Sequence, residues 1–237
     1  LVSPAPTLEA EAAAGPPARP IRRCERDGWP RFDVVDLRDE PPGRGFFSDA
    51  LTAVLHATVD RGARAVCVVN RKGRAHLLVC RQCGHIAQCE VCDAAVAETE
   101  GGLVCRRCGT ERPRVCLHCN STRFARRRPG VTRVREEMAA LLSRVTVAEV
   151  DAATAALPRA AVLVGTEAVL HRADAAPIGI ELVAFLEFDQ ELLATRYRAA
   201  EQALWLLVRA ARVVGGRRGD GRVLVQTRVP DHDVIEA

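Results

Sequence analysis

Ten cysteines punctuate this 237-residue chain, and eight of them fall within residues 80–119 as four C-x-x-C pairs. The pairs are Cys80/Cys83, Cys89/Cys92, Cys105/Cys108 and Cys116/Cys119; Cys24 and Cys67 stand apart. C-x-x-C puts two thiolates on one tight turn, and Zn²⁺ takes four such soft ligands in a tetrahedron. No basic-then-apolar leader opens the chain, so a secreted disulfide framework is disfavoured and metal binding is the leading reading. Gly84 and Gly109 directly follow two of the pairs and suit a turn that needs positive φ.

Four pairs make two sites, and spacing selects their partners. Five residues separate Cys83 from Cys89, too few for two knuckles to face each other, whereas twelve separate Cys92 from Cys105, enough for a short hairpin. The expected arrangement is nested, with two Zn²⁺ ions. Cys89, Cys92, Cys105 and Cys108 form the inner site, and Cys80, Cys83, Cys116 and Cys119 the outer one. Four thiolates leave no open coordination position, so the sites read as structural and no catalytic residue is assigned. His85 and His118 are substitute ligands in second place, and Cys67, in the run AVCVV, reads as a small buried hydrophobe.

The formal charge is only +4, yet of 34 basic residues only Lys72 is a lysine, an excess that GC-rich coding produces. FARRRPGVTRVREE (124–137) gathers five arginines just after the last knuckle. Arg126, Arg127, Arg128 and Arg133 are the candidate DNA contacts, because clustered guanidinium forks bind phosphate in a salt-dependent way. Arg81, Arg106, Arg107, Arg112 and Arg114 add charge within the knuckles. Phe124 and Trp205 are the candidate base-stacking aromatics, with Trp205 read first as a core residue.

Around the cysteines the pattern alternates between strand and helix. FDVVDL (32–37), ARAVCVV (63–69), RAHLLV (74–79), VTVAEVD, AAVLVG, IELVAFLEFD and GRVLVQT read as strands. ARAVCVV and RAHLLV are expected to be joined by a turn-like NRKG (70–73). Ser48 caps an expected helix over 49–60, carried by Leu51, Val54, Leu55 and Val59. A second helix is expected in 129–144, with Val134, Met138, Leu141 and Leu142 on one face, and a third over 196–213. LEAEAAA looks helical within an Ala-, Pro- and Arg-rich opening of 31 residues, and PPGRG (41–45) reads as a turn. Continuous apolar runs fit strands covered on both faces, so the fold class is α/β with a parallel sheet. The zinc segment is then an insertion between an early strand and the next helix. No apolar run reaches the roughly 18 residues that span a bilayer, so the chain reads as cytoplasmic with no membrane partner.

The order of motifs resembles the PriA family of primosomal replication-restart proteins, relatives of superfamily 2 helicases. SPAPTLEA (3–10) is similar to the family's S-A-T-P-S-L-E motif, and VVNRKGRAHLLVCRQCG (68–84) to its NRRGY segment running into the first knuckle. The cysteine spacing matches the family's two nested zinc sites. RYRAAEQALWLL (196–207) and VLVQTRVPDH (223–232) are similar to its D-F-R-A-A-E-R helix and V-L-I-Q-T…P-D-H strand. The resemblance implies a RecA-like C-terminal helicase lobe interrupted by a two-zinc insertion. Residues 1–45 would be the end of a first lobe and a linker, 46–79 the start of the second lobe, 80–119 the insertion, and 120–237 the remainder. With Leu1 in place of Met, the chain reads as a fragment.

The same resemblance implies a bacterial, nucleoid-associated factor that binds forked or single-stranded DNA beside other primosome proteins and the replicative helicase loading machinery. The family's ATP-binding boxes, G-x-x-x-x-G-K-[ST] and D-E-x-H, do not occur here. In GTEAVLHRADAAP (165–177) Gly165, Thr166 and Asp174 match the family's motif V, but its Lys-Gly-His part is lost. In RAARVVGGR (209–217) Arg209 replaces a Gln, and Arg212 and Arg217 are out of register with the arginines that reach the γ-phosphate. The expectation is a helicase-dead member, with ATP binding open. The alternatives are an active 3′–5′ helicase whose second motor lobe is this chain, and a free-standing zinc-ribbon module without a parallel sheet after residue 120.

Overall fold

The continuous apolar runs become strands buried on both faces. In a computed structural model, residues 28–38, 46–69, 77–127, 131–174, 179–216 and 220–237 are described, with the single residues 13 and 40. The elements are β1 (Arg31–Asp36), α1 (Asp49–Asp60), β2 (Arg64–Val68), β3 (Leu77–Cys80), β4 (Val96–Thr99), β5 (Gly102–Cys105), β6 (Glu111–Arg112) and β7 (Phe124–Arg127). They continue with α2 (Val131–Leu141), β8 (Val147–Val150), β9 (Val162–Gly165), α3 (Ala168–Asp174), β10 (Ile180–Phe185), α4 (Asp189–Leu192), α5 (Ala199–Val214), β11 (Arg222–Thr227) and α6 (Asp233–Glu236).

Six strands form one parallel sheet in the order β1-β11-β10-β2-β9-β8. Alternate side chains of each strand feed two cores. On one face Leu51 and Leu55 of α1 and Val131, Val134 and Met138 of α2 cover Ala65, Cys67, Val162, Val164 and Leu182. On the other, Val169 and Leu170 of α3 and Ala203, Leu206 and Leu207 of α5 cover Val66, Leu163, Val183 and Val225. Ser48 caps α1 as expected, its hydroxyl accepting from the Leu51 amide at 3.1 Å, an interaction worth about 1 kcal/mol.

The strands read at 63–69 and 74–79 belong to different sheets: β2 lies inside the parallel sheet, while β3 pairs antiparallel with β7. Two expectations need correction. Leu141 is 37% exposed rather than part of the α2 face, which Val131, Val134, Met138 and Leu142 form instead. The third helix runs from Ala199 to Val214, three residues later at its start than the periodicity suggests. LEAEAAA apart from residue 13, SPAPTLEA, PPGRG, NRKG, Cys24, Arg128 and Arg217 lie outside the described residues.

The parallel sheet between residues 147 and 227 removes the free-standing zinc-ribbon reading. Among the described residues, no helix is long and apolar enough to cross a membrane.

Neighbouring strands β2 and β10 send the chain to opposite faces. β2 leads through the cysteine segment to α2 on one side, and β10 leads to α5 on the other. Such a divergence opens a crevice at the carboxyl ends of the strands, where α/β sheets bind ligands. The cysteine segment springs from this place.

Candidate metal centres and nucleic-acid interface

The four knuckles are one local structure built four times. In each, the residue after the second cysteine has a left-handed backbone: Gly84 at φ 75°, Asp93 at 57°, Gly109 at 80° and Asn120 at 58°. Its amide donates to the carbonyl of the first cysteine, from Gly84 to Cys80, Asp93 to Cys89, Gly109 to Cys105 and Asn120 to Cys116, at 2.9–3.0 Å. The first cysteine's amide then donates to a carbonyl five residues on, in His85, Ala94, Thr110 and Ser121. Gly takes this backbone freely, and Asp and Asn are the side chains that tolerate it best. The turn aims both thiols of a pair to the same side.

The knuckles converge in two groups. Cys80, Cys83, Cys116 and Cys119 form one and Cys89, Cys92, Cys105 and Cys108 the other, with the sulfurs of each group within 4.8 Å of one another. The closest approaches are 3.6 Å for Cys80–Cys119 and Cys83–Cys116, and 3.5 Å for Cys89–Cys108 and Cys92–Cys105. A disulfide needs about 2.05 Å, whereas a tetrahedron with Zn–S near 2.3 Å has edges of about 3.8 Å. The donor set and its spacing therefore fit a tetrathiolate metal ion. The β4–β5 hairpin supplies the twelve-residue span of the inner group, pairing Val96 with Cys105.

The thiols are not equivalent. Burial pushes Cys83 and Cys92 up to about 12. Hydrogen bonds from the Thr110 hydroxyl and amide hold exposed Cys108 down at about 6. Cys67 is fully buried in β2, and burial pushes its thiol up to about 12, so it is an inert core residue. His85 and His118 join neither group; their rings stack on each other at 3.8 Å.

The knuckle arginines differ from the phosphate-facing set that their charge suggests. Arg112 is buried and donates to the carbonyls of Val115 (2.5 Å) and Gln88 (3.1 Å). Arg107 donates to the carbonyls of Cys92 (3.3 Å) and Ala194 (2.7 Å). Arg114 bonds the Thr122 carbonyl and Glu98, with its guanidinium 5.5 Å from the centre of the Phe124 ring. These three brace the backbone; Arg81 and Arg106 are exposed. Residues 80–119 also hold five carboxylates against five arginines, so the segment has no net positive charge of its own.

Of the candidate DNA contacts, Arg126 is exposed on β7 and pairs with Glu98 at 3.0 Å. The two arginines beside Glu98 hold its carboxyl below the usual range, Arg114 more than Arg126. Arg127 ends β7, and Arg133 is exposed on α2, paired with Glu137 at 2.7 Å. Phe124 is buried and unavailable to a base. Trp205 is half-buried against the core, stacked under Arg209 at 4.2 Å and beside His171. Arg209 in turn lies 2.5 Å from the His171 ring nitrogen. Gly165 closes β9 so near the next strand that a Cβ there would lie 2.3 Å from the Val150 carbonyl oxygen, which explains the retained glycine structurally.

A buried polar network at the carboxyl ends of the strands was not singled out from sequence. Gln226 accepts from the Ser48 hydroxyl (2.6 Å) and donates to the carbonyls of Phe46 (2.7 Å) and Leu186 (3.0 Å). Asp189 accepts from the Thr227 hydroxyl (2.6 Å) and the Arg228 amide (2.8 Å). Arg228 donates to the carbonyls of Leu37 (2.7 Å) and Gly84 (3.0 Å), tying β1, β11 and the first knuckle together. Polar Gln226 and Thr227 at the end of an otherwise apolar strand are the signal that could have found it. The Ala95 amide also donates to the Leu193 carbonyl (3.0 Å) at the end of α4, so the cysteine segment is tied to the rest of the fold at both groups.

Replication restart protein PriA of Bacillus subtilis is 29% identical to this chain over 259 residues, an alignment that covers 100% of the chain and 32% of the relative. The PriA proteins of Haemophilus influenzae and Synechocystis are each 28% identical, over 222 and 248 residues, covering 86% and 91% of the chain. No family model matches the chain. The chain is thus similar to PriA proteins over 86–100% of its own length, and it spans about a third of the length of the curated relatives it matches.

Proposed function

We propose that this chain is the part of a PriA-type replication-restart factor that presents a two-zinc platform on a RecA-like helicase lobe, and that the factor binds forked or single-stranded DNA. The observation that carries this reading is the pair of cysteine quartets in the segment that leaves the sheet where β2 and β10 diverge, at the end of the strands where α/β sheets generally bind ligands, in a chain similar to replication restart proteins. In this reading residues 80–119 are the zinc insertion, 46–79 and 120–237 the lobe it interrupts, and 1–45 the end of a preceding lobe with its linker. Each ion is Zn²⁺, held by the outer or the inner four cysteines. When bound it supplies a rigid structural cross-link and, with four thiolates, no reactive position.

The chain's own residues do the rest. Arg126, Arg127 and Arg128, with Arg133 at the start of α2, meet backbone phosphates, supplying affinity that is independent of base sequence. The platform offers a surface to other primosome proteins and to the replicative helicase loading machinery, in a bacterial cytoplasm beside the nucleoid. In this reading the factor works without helicase activity of its own, the alternative being an active 3′–5′ helicase whose second motor lobe is this chain. Two observations support the former: α5 continues as helix through Val213 and Val214, in the motif VI stretch, and Arg209 is stacked on Trp205.

The test is binding of the metal-loaded chain to a forked duplex, a single strand and a blunt duplex over a salt series. Tighter binding to the fork and the single strand is expected, with each lost phosphate contact lowering the log–log salt slope by about 0.7–0.9. Equal affinity for the blunt duplex overturns the reading.

A further inference from the structure

Tyr197, the chain's one tyrosine, is 85% exposed, the most exposed large hydrophobic side chain among the described residues. It sits between Arg196 and Arg198 on the connection from β10 to α5, at the carboxyl edge of the sheet. A ring this open on a loose loop would mean little, but this loop is braced on every side. Arg107 of the inner knuckle holds the Ala194 carbonyl at 2.7 Å, and the Ala95 amide holds the Leu193 carbonyl at 3.0 Å. Arg196 bonds the buried Glu191 carboxylate at 2.6 Å and also Gln202 of α5.

Arg198, which precedes α5, is held with a left-handed backbone at φ 60°. A non-glycine residue pays strain for that conformation, and such strain concentrates at ligand sites. The turn presents the tyrosine outward instead of folding it onto the apolar face of α5. Charged groups flank the ring: Arg198 lies 5.5 Å from the ring centre and pairs with Glu201 at 3.5 Å, and exposed Arg106 precedes Arg107 on the knuckle that braces the loop, so the surroundings keep an excess of guanidinium over carboxylate.

An outward aromatic ring framed by arginines fits a base with its attached phosphate better than it fits an apolar protein surface. The geometry points to Tyr197 as a base-stacking residue for single-stranded DNA, at a joint surface made by the inner knuckle and the start of α5. The inference rests on the DNA-binding reading above and names a contact separate from the Arg126–Arg133 stretch. Duplex DNA keeps its bases stacked on one another, so the ring selects an unpaired strand. The interaction is dispersive, so it answers to salt differently from the arginine contacts.

The experiment measures binding of the metal-loaded chain and its Tyr197→Ala and Tyr197→Phe variants to an oligothymidylate and to a blunt duplex, across salt. Tyr197→Ala is expected to weaken oligothymidylate binding roughly 5- to 150-fold, with an unchanged salt slope and unchanged duplex binding. Tyr197→Phe keeps the stacking face and binds as the parent does. An Arg126→Ala control is expected to lower the salt slope instead. If the parent binds the strand and Tyr197→Ala binds equally well, the stacking contact is overturned while the DNA reading stands. Loss in the Phe variant equal to that in the Ala variant overturns stacking in favour of a hydroxyl contact. A parent that binds no DNA overturns both, whereas a Tyr197 covered by a protein partner overturns the stacking contact alone.

Discussion

The parallel sheet and the cysteine segment solve the same problem, fixing a chain in one arrangement, by opposite means. The sheet does it with burial: Ala65, Val66, Val162, Leu163, Leu182, Val183 and Ala184 have no exposed surface, and helices cover both faces. The segment has strands of two to four residues and a core of ten buried residues, four of them cysteines. So little apolar area cannot offset the entropy of ordering the chain, and the quartets must supply the difference. The sheet's order is spread over many side chains, whereas the segment's is concentrated in eight sulfurs.

Metal removal is the largest test of that contrast. Binding to structural zinc sites is worth about 10–16 kcal/mol in small finger peptides at neutral pH. Chelation is therefore expected to expose the knuckle amides of Gly84, Asp93, Gly109 and Asn120 to hydrogen exchange while the amides of Val66, Val183 and Leu224 stay protected. Acid should do the same. A metal replaces the protons of all four thiols, so falling pH favours the protonated, metal-free form and rising pH the loaded one. Native mass spectrometry should show two ions at neutral pH and their joint or stepwise loss on acidification. One ion at neutral pH contradicts the two-quartet assignment.

The complementary break falls in the sheet. Leu182→Ala leaves a cavity in the core that also holds Leu55 and Met138, and is expected to cost about 2–5 kcal/mol. Thermal unfolding should drop accordingly while metal stoichiometry is kept. A fall in bound metal of the same degree would mean that the two regions are not separately stabilised.

Arg228→Ala addresses the seam between them. Its guanidinium donates to carbonyls just after β1 and on the first knuckle, and removing a buried charged donor from two carbonyls costs about 1.5–3 kcal/mol. Faster exchange at Gly84 with a modest loss of global stability is the expected result; exchange confined to β11 would place the arginine's role inside the sheet.

The parts of this molecule that were legible in its sequence are those whose cause is local. A C-x-x-C turn and the Gly, Asp or Asn after it span five residues, so each knuckle is written where it stands, and the residue counts between knuckles decide which pairs can meet. The long apolar runs likewise announce buried strands, and Ser48 announces the helix it caps. Tertiary structure decided what depends on the chain crossing itself. It gave β3 the partner β7, and turned Leu141 outward. It used Arg107, Arg112 and Arg114 to hold carbonyls that lie up to 87 residues away in sequence. It also lifted Tyr197 into solvent. A guanidinium satisfies a distant carbonyl as readily as a phosphate, and nothing in the residues beside it distinguishes the two until the fold brings one within reach.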